Sequence, residues 1–312
     1  MKQCIYFLAL FVITALSATP TQLLADTLDV AVLPPGNINA VINGDTLAGG
    51  IRANPDRVYR LARGSLYQVT EPMNIIGPIR IVATDGTSRP PVLAPAILSD
   101  NSSPGTFFFL RGSGSTVEMS DVYLLAVRAD QAVVGGITGI FILADSMNLK
   151  LRRVVFDALN SGIRLTAQWS KIDVQDCNFR NHQNTFSWFH GFPFFSNAPN
   201  AMDTIKFINN TFFACGSYIW SIRGFDRYSV FEHNTLVYGI AMPFLMRQGS
   251  NMRIRNNLFY SMHAMGGNPD HVINGWFLNY PDTASSSIIR VRGRDTLSRW
   301  AKDVWKATIV GP

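Results

Sequence analysis

Two arginines occupy matching places 24 residues apart: Arg223 in "YIWSIRG" (218–224) and Arg247 in "MPFLMRQ" (242–248). If these segments are successive strands in register, period two sends Trp220, Ile222, Phe244 and Met246 inward and both guanidinium groups outward on one face. Two such cations about 5 Å apart repel by roughly 1 kcal/mol in water and about 3 kcal/mol at an effective dielectric of 20. Solvent or an acid such as Asp226 offsets that at little cost, whereas an anionic polymer lying along the face would offset it with a function. Guanidinium forks match carboxylate, sulfate and phosphate groups better than ammonium does. Arginine supplies 21 of the 27 basic residues of a chain with formal charge +6. The charge is spread along the chain with no basic run, so nucleic acid is not expected as a partner.

A second candidate is the aromatic stretch "SWFHGFP" (187–193), where Trp188 and His190 either wall a sugar-binding groove or fold down as a buried loop. His182, His190, His233 and His263 show no H-x-x-x-H or H-E-x-x-H spacing, so zinc is not expected. Paired carboxylates of a glycosidase kind are not found at equivalent strand positions.

The elements that must hold these residues come from an internal repeat. The pattern apolar-x-apolar-x-polar-x-x-apolar fits "VEMSDVYL", "LKLRRVVF", "IDVQDCNF", "IKFINNTF", "SVFEHNTL" and "MRIRNNLF". Its third position falls at Met119, Leu151, Val174, Phe207, Phe231 and Ile254, at intervals of 32, 23, 33, 24 and 23 residues. Period two within a unit signals strands, Gly, Asn and Asp punctuate the joins, and a unit of this size must stack on its neighbours to bury its apolar side. The leucine-rich repeat competes, since "IKFINNTF" satisfies its core. The segments that follow each core are strand-like, with no helical stripe for a convex face. A parallel β-helix is therefore preferred.

The N-terminal stretch "DRVYRLARGSLYQVTEPMNIIGPIRIVATDGTSRPPVL" strings short strands (Val58 to Leu61, Leu66 to Val69, Ile79 to Val82) between Gly and Pro turns. With the repeats it resembles the opening coils of the pectate-lyase-like superfamily of secreted bacterial proteins, over roughly Val58 to Gly266. The resemblance implies an all-β fold, a single-stranded right-handed parallel β-helix of about 23–24 residues per coil. It also implies Arg or Lys that neutralises a uronate carboxylate or takes the C5 proton in β-elimination, which makes Arg223 and Arg247 the catalytic candidates; the aromatic stretch and the acid beside the arginines add Trp188, His190 and Asp226 as substrate-binding candidates. Calcium-dependent lyases gather several Asp or Glu on one face. Here only Glu71, Glu118 and Glu232 occur and no Asp column recurs at coil spacing, so calcium has weak support and no cofactor is assigned.

The paired asparagines of "FINNTFF" and "IRNNLFY" read as structure. Asn210, Asn234 and Asn257 sit 24 and 23 residues apart, so they should stack at the strand spacing of roughly 4.8 Å. Asn accepts the left-handed turn conformation, and its amide donates to one neighbour while accepting from the other. Cys177 takes this place in the preceding unit, where the ladder should end.

Lys2, the apolar run Ile5 to Leu16 and the small residues after it have the layout of a secretory signal peptide. The expected organisation is residues 1–25 as signal, 26–290 as the β-helix and 291–312 as a C-terminal cap or the start of a further region. In the last part, Leu297, Trp300, Ala301, Val304 and Trp305 make an amphipathic helix. No transmembrane segment is expected, and Cys177 and Cys215 read as two buried thiols. The sequence thus points to an exported monomer, secreted or at the cell surface, that binds acidic polysaccharide along an exposed strand face, with cleavage by a lyase reaction as its extension. The rival from another class is a non-catalytic adhesive or structural solenoid.

Overall fold

A computed structural model describes residues 26–182, 191–197, 201–222, 224, 226–239, 244–247, 251–260 and 289–292. The described chain is almost all β, arranged in three parallel sheets that it visits in turn. Sheet 1 contains Thr27–Val30, Val58–Leu61, Ile79–Ala83, Thr116–Ser120, Asn148–Arg152, Lys171–Gln175, Met202–Ile208, Asp226–Glu232 and Met252–Arg255. Sheet 2 contains Leu66–Val69, Val92–Pro95, Tyr123–Leu125, Val155–Asp157, Asn178–Arg180, Thr211–Phe213, Thr235–Val237 and Leu258–Tyr260. Sheet 3 contains Met73–Ile75, Thr106–Leu110, Thr138–Ile142, Ser161–Leu165, Phe192–Ser196, Trp220–Ile222, Phe244–Arg247 and Ile289–Arg292. No sheet closes into a barrel, and the stacking is compatible with a β-helix solenoid.

The register agrees with the repeat residue for residue. Met119 pairs with Leu151, Leu151 with Val174, Val174 with Phe207, Phe207 with Phe231 and Phe231 with Ile254, all parallel in sheet 1. Their side chains point inward because the alternation that buries Leu149, Leu151, Ile172, Val174, Ile205 and Phe207 puts polar residues on the other side. Aromatic rings stack through the core along the same axis: Phe156 on Phe179 at 4.6 Å and Phe179 on Phe212 at 5.0 Å. Trp220 is wedged among Phe194, Phe207 and Phe231. Cys177 and Cys215 are buried free thiols, and burial pushes the Cys177 thiol up to about 12.

The asparagine ladder forms. Asn210 donates its side-chain amide to Asn234 Oδ1 at 3.0 Å, and Asn234 donates to Asn257 Oδ1 at 3.1 Å. Each Oδ1 also accepts the backbone N–H of the preceding coil, the first being Cys177 N–H on Asn210 Oδ1 at 2.9 Å. Cys177 has no amide to pass on, so the ladder ends there as expected. One part of the expectation is corrected: the left-handed residue of each turn is the one before the ladder position. Asp121, Arg153, Asp176, Asn209, His233 and Asn256 all have φ between 52° and 57°, while the ladder asparagines do not. The doubled asparagine of "NNT" and "NNL" therefore divides two tasks, turning at the first and hydrogen bonding at the second.

An α-helix that the sequence reading missed, α1 (Asn37–Gly44), packs against the first strands of sheets 2 and 3. It buries Ile38 and Ile42 at this end of the stack. Buried Arg52 fixes it, donating to Ile42 O at 2.5 Å, Tyr59 Oη at 3.2 Å and Asn74 O at 3.3 Å. A cation among the last carbonyls of a helix is favourable. The amphipathic helix expected near residues 295–306 and the signal segment lie outside the described residues. Residues 289–292 are a strand paired with Phe244–Arg247. Among the described residues, no helix is long and apolar enough to cross a membrane.

Candidate functional site

The outer faces of the three sheets carry different chemistry. On sheet 1 the outward column runs Arg80, Glu118, Lys150, Asp173, Lys206, alternating in sign. Glu118 meets Arg80 at 3.1 Å and Lys150 at 2.8 Å, and Arg152 meets Asp173 at 2.7 Å. The Lys150 hydrogen bond holds the Glu118 carboxyl below the usual range. Further on, Glu232 sits between Arg253 and Arg255. Apart from Lys206 at the end of the column, these charges pair with one another, so this face offers little field to a charged polymer.

On sheet 2, Tyr123 donates its phenol proton to Asp157, and Arg180 donates to Asp157 Oδ2 at 2.8 Å and to the same phenol oxygen. Asn181 caps the other carboxylate oxygen at 2.8 Å. With each group saturated by its neighbours, this network is structural.

Sheet 3 differs. The fourth residue of each strand points outward, giving the column Phe109, Phe141, Arg164, Phe195, all half-buried. The Arg164 guanidinium lies 4.8 Å from the Phe141 ring centre and 5.9 Å from that of Phe195. One coil further toward the N-terminus, Arg111 lies 5.0 Å over Phe109 and donates to Asn74 Oδ1 at 3.2 Å. Stacking of this kind contributes about 0.5–1 kcal/mol at exposed sites, and it holds the guanidinium groups against the rings of this face. Toward the C-terminus the backbone register continues from Phe195 through Ser221, which is buried, to Leu245 and Arg290.

The expected site residues map onto this sheet in part. Arg247 ends the strand Phe244–Arg247, and its backbone register partner is Arg292. Ser221 pairs with Leu245, the 24-residue offset from which the Arg223–Arg247 pairing was inferred. Trp220, Ile222 and Phe244 are buried as expected, but Ile219 and Ser221, which alternation would place outward, are buried too. Arg223, Trp188 and His190 lie outside the described residues, as do the side chains of Met246 and Arg247. Asp226 begins the sheet 1 strand Asp226–Glu232 beside Met202 and is 2 % exposed, so it faces protein.

The sequence reading passed over Arg111, Arg164, Phe109, Phe141, Phe195, Arg290 and Arg292. The signal for most of them was present: "TFFFL", "TGIFI", "SGIRL" and "FPFFS" are themselves a repeat, with Phe109, Phe141, Arg164 and Phe195 at the same place. Aligning only the sheet 1 motif left it unread.

No group of three or more His, Cys, Asp or Glu converges as a metal site among the described residues. His182 is a core histidine. Burial drives its pKa down to about 3, against weaker opposite pulls from Asp157 and the Leu159 and Phe156 backbone. The folded form is therefore neutral, while the unfolded chain takes up a proton below about 6.5. Since the unfolded state then binds more protons, stability falls as pH drops from about 6.5 toward 3, by up to about 1.4 kcal/mol per pH unit. In urea titrations from pH 7 to 4, His182→Leu is expected to flatten that fall, because Leu159 already occupies the equivalent place one coil earlier.

No protein-family model and no curated protein matches the chain.

Proposed function

We propose that this chain is an exported, right-handed parallel β-helix of the pectate-lyase-like kind that binds an acidic polysaccharide along the outer face of sheet 3. The observation that carries the reading is the Phe109–Phe141–Arg164–Phe195 column, with Arg111 beside it. Rings spaced by one coil stack on the C–H faces of sugar units, and guanidinium forks between them pair with uronate carboxylates in two-point hydrogen bonds. The backbone register that sets Arg247 beside Arg292 and Leu245 beside Arg290 supports extending the same stripe toward the C-terminus. In this reading Arg223 and Arg247 neutralise the carboxylates of the sugars at that end.

Affinity gel electrophoresis with pectate, alginate and chondroitin sulfate tests the proposal. Retardation in at least one of these gels is expected, weakened as salt rises because charge pairing is screened. Ultraviolet absorbance of the unsaturated uronate, followed in the same mixtures, separates a lyase from a binder. Unaltered mobility in all three gels would sink the assignment.

A further inference from the structure

A second aromatic row stands on sheet 2, on a face distinct from the arginine stripe. Phe213 and Tyr260 are outward residues of Thr211–Phe213 and Leu258–Tyr260, with Val237 between them in register. Tyr238 follows Val237 at the adjoining corner, and its ring lies 5.7 Å from that of Phe213 and 6.0 Å from that of Tyr260. The three are 40 %, 52 % and 57 % exposed. Among the described residues the only other exposed Phe, Tyr or Trp rings are Trp169 at 43 % and Tyr228 at 38 %, whereas Phe156, Phe179, Phe207, Phe212 and Phe231 fill the core.

The backbone adds an independent sign. The corner column Ala158, Asn181, Ala214, Tyr238 has φ of 58°, 53°, 52° and 55°. Alanine and asparagine are small or tolerant there; tyrosine is bulky, and the left-handed conformation costs it stability. A residue that sacrifices stability to place an exposed ring between two others is placed for contact. The surroundings define that contact. Thr211 and Thr235, register neighbours on the same face, add hydroxyls beside the rings and the two phenols. Among the described residues, Arg180, the register partner of Phe213, is closed on Asp157 at 2.8 Å. Rings edged by hydroxyls, beside a charge already paired, complement a polymer whose units have C–H faces, hydroxyl rims and no carboxylate.

We propose that Phe213, Tyr238 and Tyr260 form a stacking site for a neutral glycan, so that the protein holds an acidic and a neutral polysaccharide on two different sides. Affinity electrophoresis of the full chain in hydroxyethyl cellulose, glucomannan and arabinoxylan gels tests this, with pectate as the comparison. Retardation is expected in at least one neutral gel, weakened about tenfold by Tyr238→Asn. Asparagine suits the backbone there, so this variant keeps or raises the melting temperature and loss of binding is not loss of fold. Phe213→Ala acts in the same direction, neither variant changes pectate mobility, and Arg164→Gln leaves neutral retardation intact. The site is overturned if no neutral gel retards the protein, or if Tyr238→Asn leaves the retardation unchanged. It is also overturned if sedimentation shows a dimer that the same variant dissociates, which would make the row a self-association surface.

Discussion

Replacing Asn234 with alanine is expected to cost about 4 kcal/mol, read as a shift in the urea unfolding midpoint, because each buried polar group left unpaired costs roughly 1–3 kcal/mol. Asn234 Oδ1 accepts both the backbone N–H of Asn210, at 2.8 Å, and its side-chain amide, at 3.0 Å. Asn234 Nδ2 donates to Phe207 O at 3.0 Å and to Asn257 Oδ1 at 3.1 Å. With Asn210 and Asn234 each only 1 % exposed, water cannot take over these partners. Asn234→Asp keeps the acceptor but replaces the Nδ2 donor with an oxygen facing Phe207 O and Asn257 Oδ1, so it is expected to be no better. Asn257→Ala is the milder control, since Asn257 is half-buried and its Oδ1 is the last acceptor in the chain of bonds. A loss below about 1 kcal/mol for Asn234→Ala would mean that the ladder is decoration.

The second large effect concerns space. A Cβ on Gly162 would sit 2.6 Å from the carbonyl oxygen of Pro193 and 3.0 Å from the Phe179 ring, and one on Gly139 would sit 2.6 Å from Gly162 O. These obstacles are backbone and a stacked ring, so neither can swing away. The two glycines thin the sheet 3 wall where the Phe156–Phe179 stack fills the interior. Gly162→Ala is expected to cost about 3 kcal/mol, the upper part of the range for overpacking. Gly44→Ala, where nothing lies within 4 Å of the added carbon, is expected to be neutral or slightly stabilising. Thermal unfolding of the two variants side by side checks the contrast.

Much of this architecture was legible because it repeats. The spacing of Met119, Leu151, Val174, Phe207, Phe231 and Ile254 predicts the sheet 1 register without error, since inward positions of stacked coils must all be apolar. The ladder was legible for the same reason, three asparagines at coil spacing. The sheet 3 column was equally regular but its residues differ in kind: Phe109, Phe141 and Arg164 each stand ten residues before Met119, Leu151 and Val174, and Phe195 stands twelve before Phe207, so a search for one residue type at coil spacing passes over it. The helix α1 carries too short an apolar pattern, Ile38 and Ile42, to stand out from its surroundings. The left-handed turn was assigned to the wrong one of two adjacent asparagines, because both tolerate that conformation and only the hydrogen-bond geometry separates them.

Anionic polymer is proposed to lie on sheet 3 because sheet 1 pairs most of its own charges and sheet 3 sets guanidinium groups on phenyl rings. Two substitutions of equal charge change separate those faces: Arg164→Gln on sheet 3, and Arg152→Gln, which removes the 2.7 Å partner of Asp173 on sheet 1. Affinity for the best-bound acidic polysaccharide, titrated at fixed salt, is predicted to fall about tenfold for Arg164→Gln, the equivalent of about 1.4 kcal/mol, and to stay within twofold for Arg152→Gln. Equal losses from both, or none from Arg164→Gln, would contradict it.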